Sequence, residues 1–95
     1  MVMTKISITY DKDGEDKVFS QLQSAILDFV AIKHHPIVHL FISVGTKKVF
    51  MDYIRMNETG ATIKNERLGI ILFPNNIVVK IIVLRNSRFE EVTIL

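Results

Sequence analysis

Ile77-Val78-Val79-Lys80-Ile81-Ile82-Val83-Leu84 is the stretch that decides the fold, because both of its alternating sets of side chains are apolar except at Lys80. A strand with this composition needs cover on both faces of its sheet. The predicted strands at 37–44 and 68–73 are nearly as apolar on both sides. The chain therefore predicts a sheet with central strands that must be shielded from water on two faces.

The N-terminal segment predicts one strand followed by a turn. Apolar and polar side chains alternate from Ile6 to Tyr10, which places a strand over 5–10. The acidic cluster of the chain follows and comprises Asp11, Asp13, Glu15 and Asp16. A turn with Asp13 as helix N-cap explains this cluster better than a calcium loop, because an EF-hand alignment puts Ser20 where a bidentate glutamate is required.

A single amphipathic helix is predicted over 15–33. Its apolar residues recur at the helical period and form one face, made of Val18, Leu22, Ala25, Ile26 and Phe29. Lys33 places a positive charge in the last turn, and Pro36 moves the residue before it out of the helical region. The helix is therefore expected to end near Lys33.

After Pro36 the pattern predicts strands. Runs of β-branched and aromatic residues, separated by short turn segments, continue to the last residue. The predicted strands lie at 37–44, 48–56, 68–73, 77–84 and 89–95, and their connections are short enough for antiparallel hairpins. The segment 61–67 is either a further strand or irregular, and Gly69 predicts a bulge or close packing.

The predicted fold class is therefore α+β, in a single domain over 1–95. One N-terminal strand and one helix precede a five-stranded, mainly antiparallel meander, and the helix packs on one face of the sheet. One helix is about 10 Å wide and strands repeat every ~4.8 Å, so it covers two or three strands on one face. A sheet that curls into a partly closed barrel or a homodimer would cover the rest, and we favour the dimer.

Composition restricts the compartment. The chain has no cysteine, which excludes disulfides, thiolate metal sites and thiol nucleophiles and suits a reducing environment. Its first residues lead into a strand pattern rather than a signal peptide, and its longest apolar runs are too short to span a bilayer. We expect a cytoplasmic protein with no membrane association. The bias toward Ile, Val, Lys and Asn is compatible with an AT-rich genome or a small viral or mobile-element protein.

The candidate metal ligands or hydrolase residues are His34, His35 and His39. Pro36 interrupts the helical geometry that would bring His35 and His39 onto one metal. On a strand, His39 shares the less apolar face with Phe41, which favours a half-exposed strand residue over a ligand. We therefore expect no metal site.

Asp52 is the candidate catalytic carboxylate. It lies among apolar residues of the predicted 48–56 strand. Either Asp52 points inward and has a polar partner, or this face of the strand is exposed to solvent. The sequence offers it no second carboxylate, no nucleophile motif and no glycine-rich phosphate loop. We therefore expect no enzymatic activity and no cofactor.

Basic residues are concentrated in the predicted sheet. Residues 31–88 hold nine basic and three acidic groups. The candidate nucleic-acid-binding residues, on predicted hairpin tips, are Lys47, Lys48, Arg85 and Arg88, with Tyr53 or Phe41 available for stacking. The net charge is only +2, and basic residues also protect strand edges from aggregation, so nucleic-acid binding is the alternative hypothesis.

The leading hypothesis is a non-enzymatic protein-interaction module that self-associates through an uncovered sheet face or edge. The excess of apolar strand surface and the lack of a catalytic motif both favour it. The expected partner is a second copy, forming a homodimer, or another protein. A hydrolase or metal site at the histidines is the third alternative.

Overall fold

A computed structural model describes residues 3–9 and 14–95 and shows one mixed sheet with two helices. The helices are α1 (Gly14–Lys33) and α2 (Val44–Met56). The strands are β1 (Thr4–Ser7), β2 (Ile37–Ile42), β3 (Thr62–Asn65), β4 (Ile70–Phe73), β5 (Ile77–Val83) and β6 (Glu91–Ile94). Their order across the sheet is β1-β6-β2-β5-β4-β3. The predicted α+β class is confirmed, with a mixed sheet of six strands and a second helix.

The structure confirms the predicted amphipathic helix. The α1 residues buried as the spacing predicts are Val18, Leu22, Ile26 and Phe29. Phe19 is buried as well. His34 follows the helix with a φ of 53°, and its backbone N–H donates to the Val30 carbonyl oxygen at 2.8 Å, so the helix ends before Pro36. The predicted turn with Asp13 as N-cap lies outside the described residues.

The predicted strand at 48–56 is wrong, because this segment belongs to α2. Its buried residues are Thr46, Phe50, Met51 and Ile54, which share one helical face. Ser43 is the N-cap, and its Oγ accepts from the Thr46 backbone N–H at 3.1 Å. The aromatic and β-branched residues of the segment resemble a strand, but the cap and the packing against α1 select a helix.

The antiparallel meander is also corrected, because α2 reverses the chain between strands. The central strands β2 and β5 run parallel, with Ile37 opposite Val78, and the other neighbouring pairs are antiparallel. The segment 61–67, predicted to be either a further strand or irregular, contains β3, which pairs with β4. The hairpin from β4 to β5 is present as predicted, through the turn Pro74–Asn76. Thus β2 and β5 end at the same edge of the sheet.

Both helices pack on one face of the sheet. Phe19 of α1, Phe50 of α2 and Phe73 of β4 stack together with ring centroids 5.4 to 6.5 Å apart. The strand residues buried beneath the helices include Val38, Leu40, Ile42, Ile71, Val79, Ile81, Val92 and Ile94. The alternate residues of the same strands face the other side. Within residues 3–9 and 14–95, no helix has the length and hydropathy that crossing a membrane requires.

Candidate protein-interaction surface

The side of the sheet away from α1 and α2 is called the open face. Side chains alternate between the two sides of a strand, and residues directly opposite each other in neighbouring strands point the same way. The burial pattern therefore assigns six apolar residues of β2, β4 and β5 to the open face: Ile37, Phe41, Ile70, Leu72, Val78 and Ile82. Both helices lie on the other side of the sheet, so no helix of the described residues covers them.

The apolar residues of the open face are contiguous. Phe41 lies opposite Ile82 across the parallel pair, and Ile37 lies opposite Val78. Leu72 lies on the other side of Val78. Ile37 is 46% exposed and the other five residues of the patch are half-buried, whereas the strand residues beneath the helices are buried. The result is an apolar patch that runs across the three strands β2, β5 and β4.

At least three charged groups and one histidine share the open face with this patch, and one of them is Lys5 of β1, which lies opposite Thr93 of β6. Lys80 is exposed and lies between His39 of β2 and Ile70 of β4. Glu91 lies on β6, at the end of the sheet where β2 and β5 finish. Its carboxylate accepts a long hydrogen bond from the Ser87 hydroxyl at 3.5 Å and lies 3.9 Å from Arg88 Nε. Both Glu91 contacts are weak by their length and exposure.

The four candidate nucleic-acid-binding residues share one end of the sheet. Lys47 and Lys48 lie in α2 rather than on a hairpin tip, and Arg85 and Arg88 lie in the connection between β5 and β6. Because β2 and β5 are parallel, the segments that follow them are neighbours. Leu84 N–H donates to the Ile42 carbonyl at 2.9 Å. The structure thus places all four basic residues at the carboxyl ends of the central strands.

A buried hydroxyl of α2 forms a hydrogen bond with the connection between β5 and β6. Thr46 Oγ1 donates to the Phe89 carbonyl oxygen at 2.6 Å, and the Phe89 ring packs beside Gly45. Ser43 Oγ lies 2.8 Å from Thr46 Oγ1. Tyr53, considered above for base stacking, packs instead on Phe19 between the helices. Phe41 lies on the open face.

The three histidines do not converge. His34 follows α1, and His39 faces the open side of the sheet. His35 Nδ1 lies 2.8 Å from the Ile37 carbonyl oxygen, within its own turn. Among residues 3–9 and 14–95, no three His, Asp or Glu side chains are grouped as a metal would require.

Asp52 forms a surface ion pair. Its carboxylate accepts from Arg55 at 2.6 Å, one turn later on α2, and Arg55 also pairs with Glu66. The Asp52 side chain is 40% exposed. The interpretation of Asp52 as an inward strand residue is therefore wrong, because it rested on a strand at 48–56.

A groove of about 580 Å³ separates β1 from α1. Its apolar floor includes Ile6, Ala25 and Phe29. At one end the Gln21 side-chain amide accepts from the Thr9 N–H and donates to the Thr9 carbonyl oxygen, both at 3.0 Å. Gln21 therefore satisfies the backbone N–H and carbonyl groups of Thr9, which an additional strand would need for pairing. No motif in the sequence marks this groove.

Comparison of the chain with family models, curated proteins and solved structures finds no match. Function is therefore inferred from the surfaces alone. Of these, the open face combines a contiguous apolar patch on three strands with charged groups of both signs. Such a surface is suited to binding a protein.

Proposed function

We propose that the protein is a non-enzymatic interaction module and that it forms a homodimer through its open face. The observation that supports this proposal is the apolar patch across β2, β5 and β4, on the side of the sheet opposite both helices. Contiguous exposed apolar surface marks association sites in proteins of this size. The competing arrangement, a curled barrel, is disfavoured because β1 and β3 lie at opposite edges of the sheet.

The area of the open face falls in the range of small specific interfaces. Six strands at about 4.8 Å spacing make a face about 29 Å wide. Strand lengths of four to seven residues give it a length of about 13–23 Å. Two such faces would hide about 750–1,300 Å² in total at full overlap, a range that includes the lower limit of about 1,000 Å² for a specific interface.

Sedimentation equilibrium tests the proposal. We expect a mass of twice 10.9 kDa at micromolar concentration. Phe41→Asp should leave a monomer, because it puts a charge within the apolar patch. The matched control is Met56→Asp, which places the same charge on a residue that is 80% exposed at the end of α2. A wild-type mass of 10.9 kDa at every concentration would overturn the proposal.

Cytoplasmic location is part of this proposal. A chain of 95 residues without cysteine needs no oxidising environment to fold. Detection of the protein in fractionated cells tests the location, and recovery outside the cytoplasmic fraction would contradict it.

Nucleic-acid binding is the second candidate, favoured by the placement of four basic residues at one end of the sheet. Phosphate contacts made by Lys and Arg weaken steeply with salt. We expect Lys47→Glu with Lys48→Glu to abolish any gel shift at low salt. The control pair, Lys64→Glu with Arg67→Glu, changes the charge equally on the β3–β4 hairpin. Wild-type protein that shifts neither single- nor double-stranded DNA or RNA removes this candidate.

A further inference from the structure

Lys80 is a charged group within the apolar patch. It is exposed, with His39 opposite it on β2 and Ile70 opposite it on β4. Covering the open face would remove this ammonium from water, and a buried charge without a partner strongly disfavours association. Whatever covers the open face must therefore bring a carboxylate to Lys80.

The open face itself carries a suitable carboxylate. Of the described strand residues that face this side, Glu91 is the one acid. Its side chain is 59% exposed and makes the two long contacts to Ser87 and Arg88. Glu91 is therefore accessible to a cation from another molecule.

The strand register places Lys80 and Glu91 symmetrically about Phe41. Lys80 lies one strand to one side of β2, at the level of His39. On the other side of β2, Phe41 lies opposite Thr93 of β6. Because β6 runs antiparallel to β2, Glu91 is level with Ser43, two residues beyond Phe41 in the chain. Phe41 is thus the midpoint between the two charges. They are about 16 Å apart, too far to pair within one chain.

We propose that the homodimer has its two-fold axis at Phe41 and that Lys80 of each copy pairs with Glu91 of the other. This inference rests on the proposed dimer. The axis lies in the interface plane, passes through Phe41 and is perpendicular to the line from Lys80 to Glu91. It therefore places Lys80 of each copy opposite Glu91 of the other. Facing sheets lie about 10 Å apart, a distance that a lysine and a glutamate span together.

This arrangement covers the apolar patch and pairs Lys80 with Glu91 at once, and Lys5 lies apart from these pairs on the edge strand β1. Phe41 meets its own copy at the axis, and both ion pairs form by symmetry. The strands of the two sheets then cross at about 70°, nearer to orthogonal than to aligned packing. Other registers leave Lys80 without a carboxylate, because Glu91 is the one acid among the described strand residues of the open face, so the ion pairs select one arrangement.

Charge exchange tests the pairing. Lys80→Glu and Glu91→Lys should each raise the dimer dissociation constant by at least about 100-fold, because each places like charges together twice. An equimolar mixture of the two single variants should recover the dimer mass as a heterodimer, since the new carboxylate at position 80 meets the new ammonium at position 91 and the wild-type Glu91 and Lys80 still pair. The double variant should dimerise with itself.

The control is Lys48→Glu, which makes the same charge change at an exposed position of α2, on the side of the sheet opposite the open face. It should leave the dissociation constant within about threefold of wild type. Circular dichroism confirms that each variant is folded. If wild type is monomeric, the proposed dimer itself fails. If wild type is dimeric but the single variants also dimerise, or their mixture stays monomeric, the dimer stands and the Lys80–Glu91 pairing is overturned.

Discussion

Phe19 of α1 stacks on Tyr53 of α2, with ring centroids 4.8 Å apart and ring planes inclined by 24°. Phe19 also contacts Phe50 and Phe73, so it joins both helices to the sheet. The two helices therefore form one layer, and the opposite side of the sheet is left to the open face.

Phe19→Ala should lower the free energy of unfolding by about 3–5 kcal/mol, because it removes a buried ring that contacts three others. Denaturant titration measures the change. Leu27→Ala on the same helix is the control, since Leu27 is 42% exposed and should cost under about 1 kcal/mol. Equal effects of the two substitutions would refute the assigned helix face.

The Tyr53 hydroxyl should titrate above its usual range. Its hydrogen bond to the Asp16 carboxylate, followed by burial and the negative charge of Asp16, raises the pKa of Tyr53. The folded state therefore holds this proton more tightly than the unfolded state. The resulting stabilisation is complete below about pH 10 and is lost as the pH rises through the higher folded-state pKa.

Phenolate absorbance in a Tyr10→Phe background follows Tyr53 alone, since these are the two tyrosines of the chain. Asp16→Asn should lower the Tyr53 midpoint toward about 10, whereas Glu15→Gln should leave it unchanged. A midpoint unaffected by Asp16→Asn would show that this carboxylate does not hold the hydroxyl.

Gly69→Ala should destabilise the fold by about 1–3 kcal/mol or more. Gly69 has a φ of 69°, and a Cβ there would lie 2.9 Å from the Ile81 carbonyl oxygen. Gly60→Ala is the comparison, because its φ of 82° is also positive but its nearest neighbour is the Pro74 ring. Thermal unfolding should show the larger loss for Gly69→Ala, and the reverse order would contradict the close approach to β5.

Thr46→Val should weaken the junction between α2 and the β5–β6 connection. It removes the 2.6 Å hydrogen bond to the Phe89 carbonyl and should cost about 1–3 kcal/mol. Thr62→Val, at an exposed position of β3, is the matched control and should be nearly neutral. Unfolding midpoints of the two variants measure the difference, and a Thr46→Val protein as stable as the control would show that this bond contributes nothing.

The elements that local pattern determines were predictable from the sequence. The period of Val18, Leu22 and Ile26 defines α1, and the double-sided apolar run of β5 predicts the uncovered face. Gly69 was correctly expected at a close contact. In each case, neighbouring residues carry the relevant information.

The elements that depend on distant contacts were not predictable in this way. The segment 44–56 contains strand-forming residues, and it becomes a helix because Ser43 caps it and Phe50 packs on Phe19. The continuous apolar runs of β2 and β5 are typical of parallel strands, but they do not by themselves distinguish parallel pairing from an antiparallel sheet covered on both faces. The relation of Lys80 to Glu91 depends on the insertion of β6 beside β2, which no short-range pattern shows.

The sheet order makes slow folding an expected property of the chain. Among the described strands β1 pairs only with β6, which brings Thr4 opposite Ile94. The parallel pair of β2 and β5 also joins segments that are distant in the chain. Neither pairing gains free energy until most of the chain has been ordered, so loop-closure entropy opposes the early steps. The helices can form in microseconds, but we expect the sheet to assemble in milliseconds to seconds. During that interval apolar strands stay exposed in the nascent molecule, which makes aggregation the main competitor of folding.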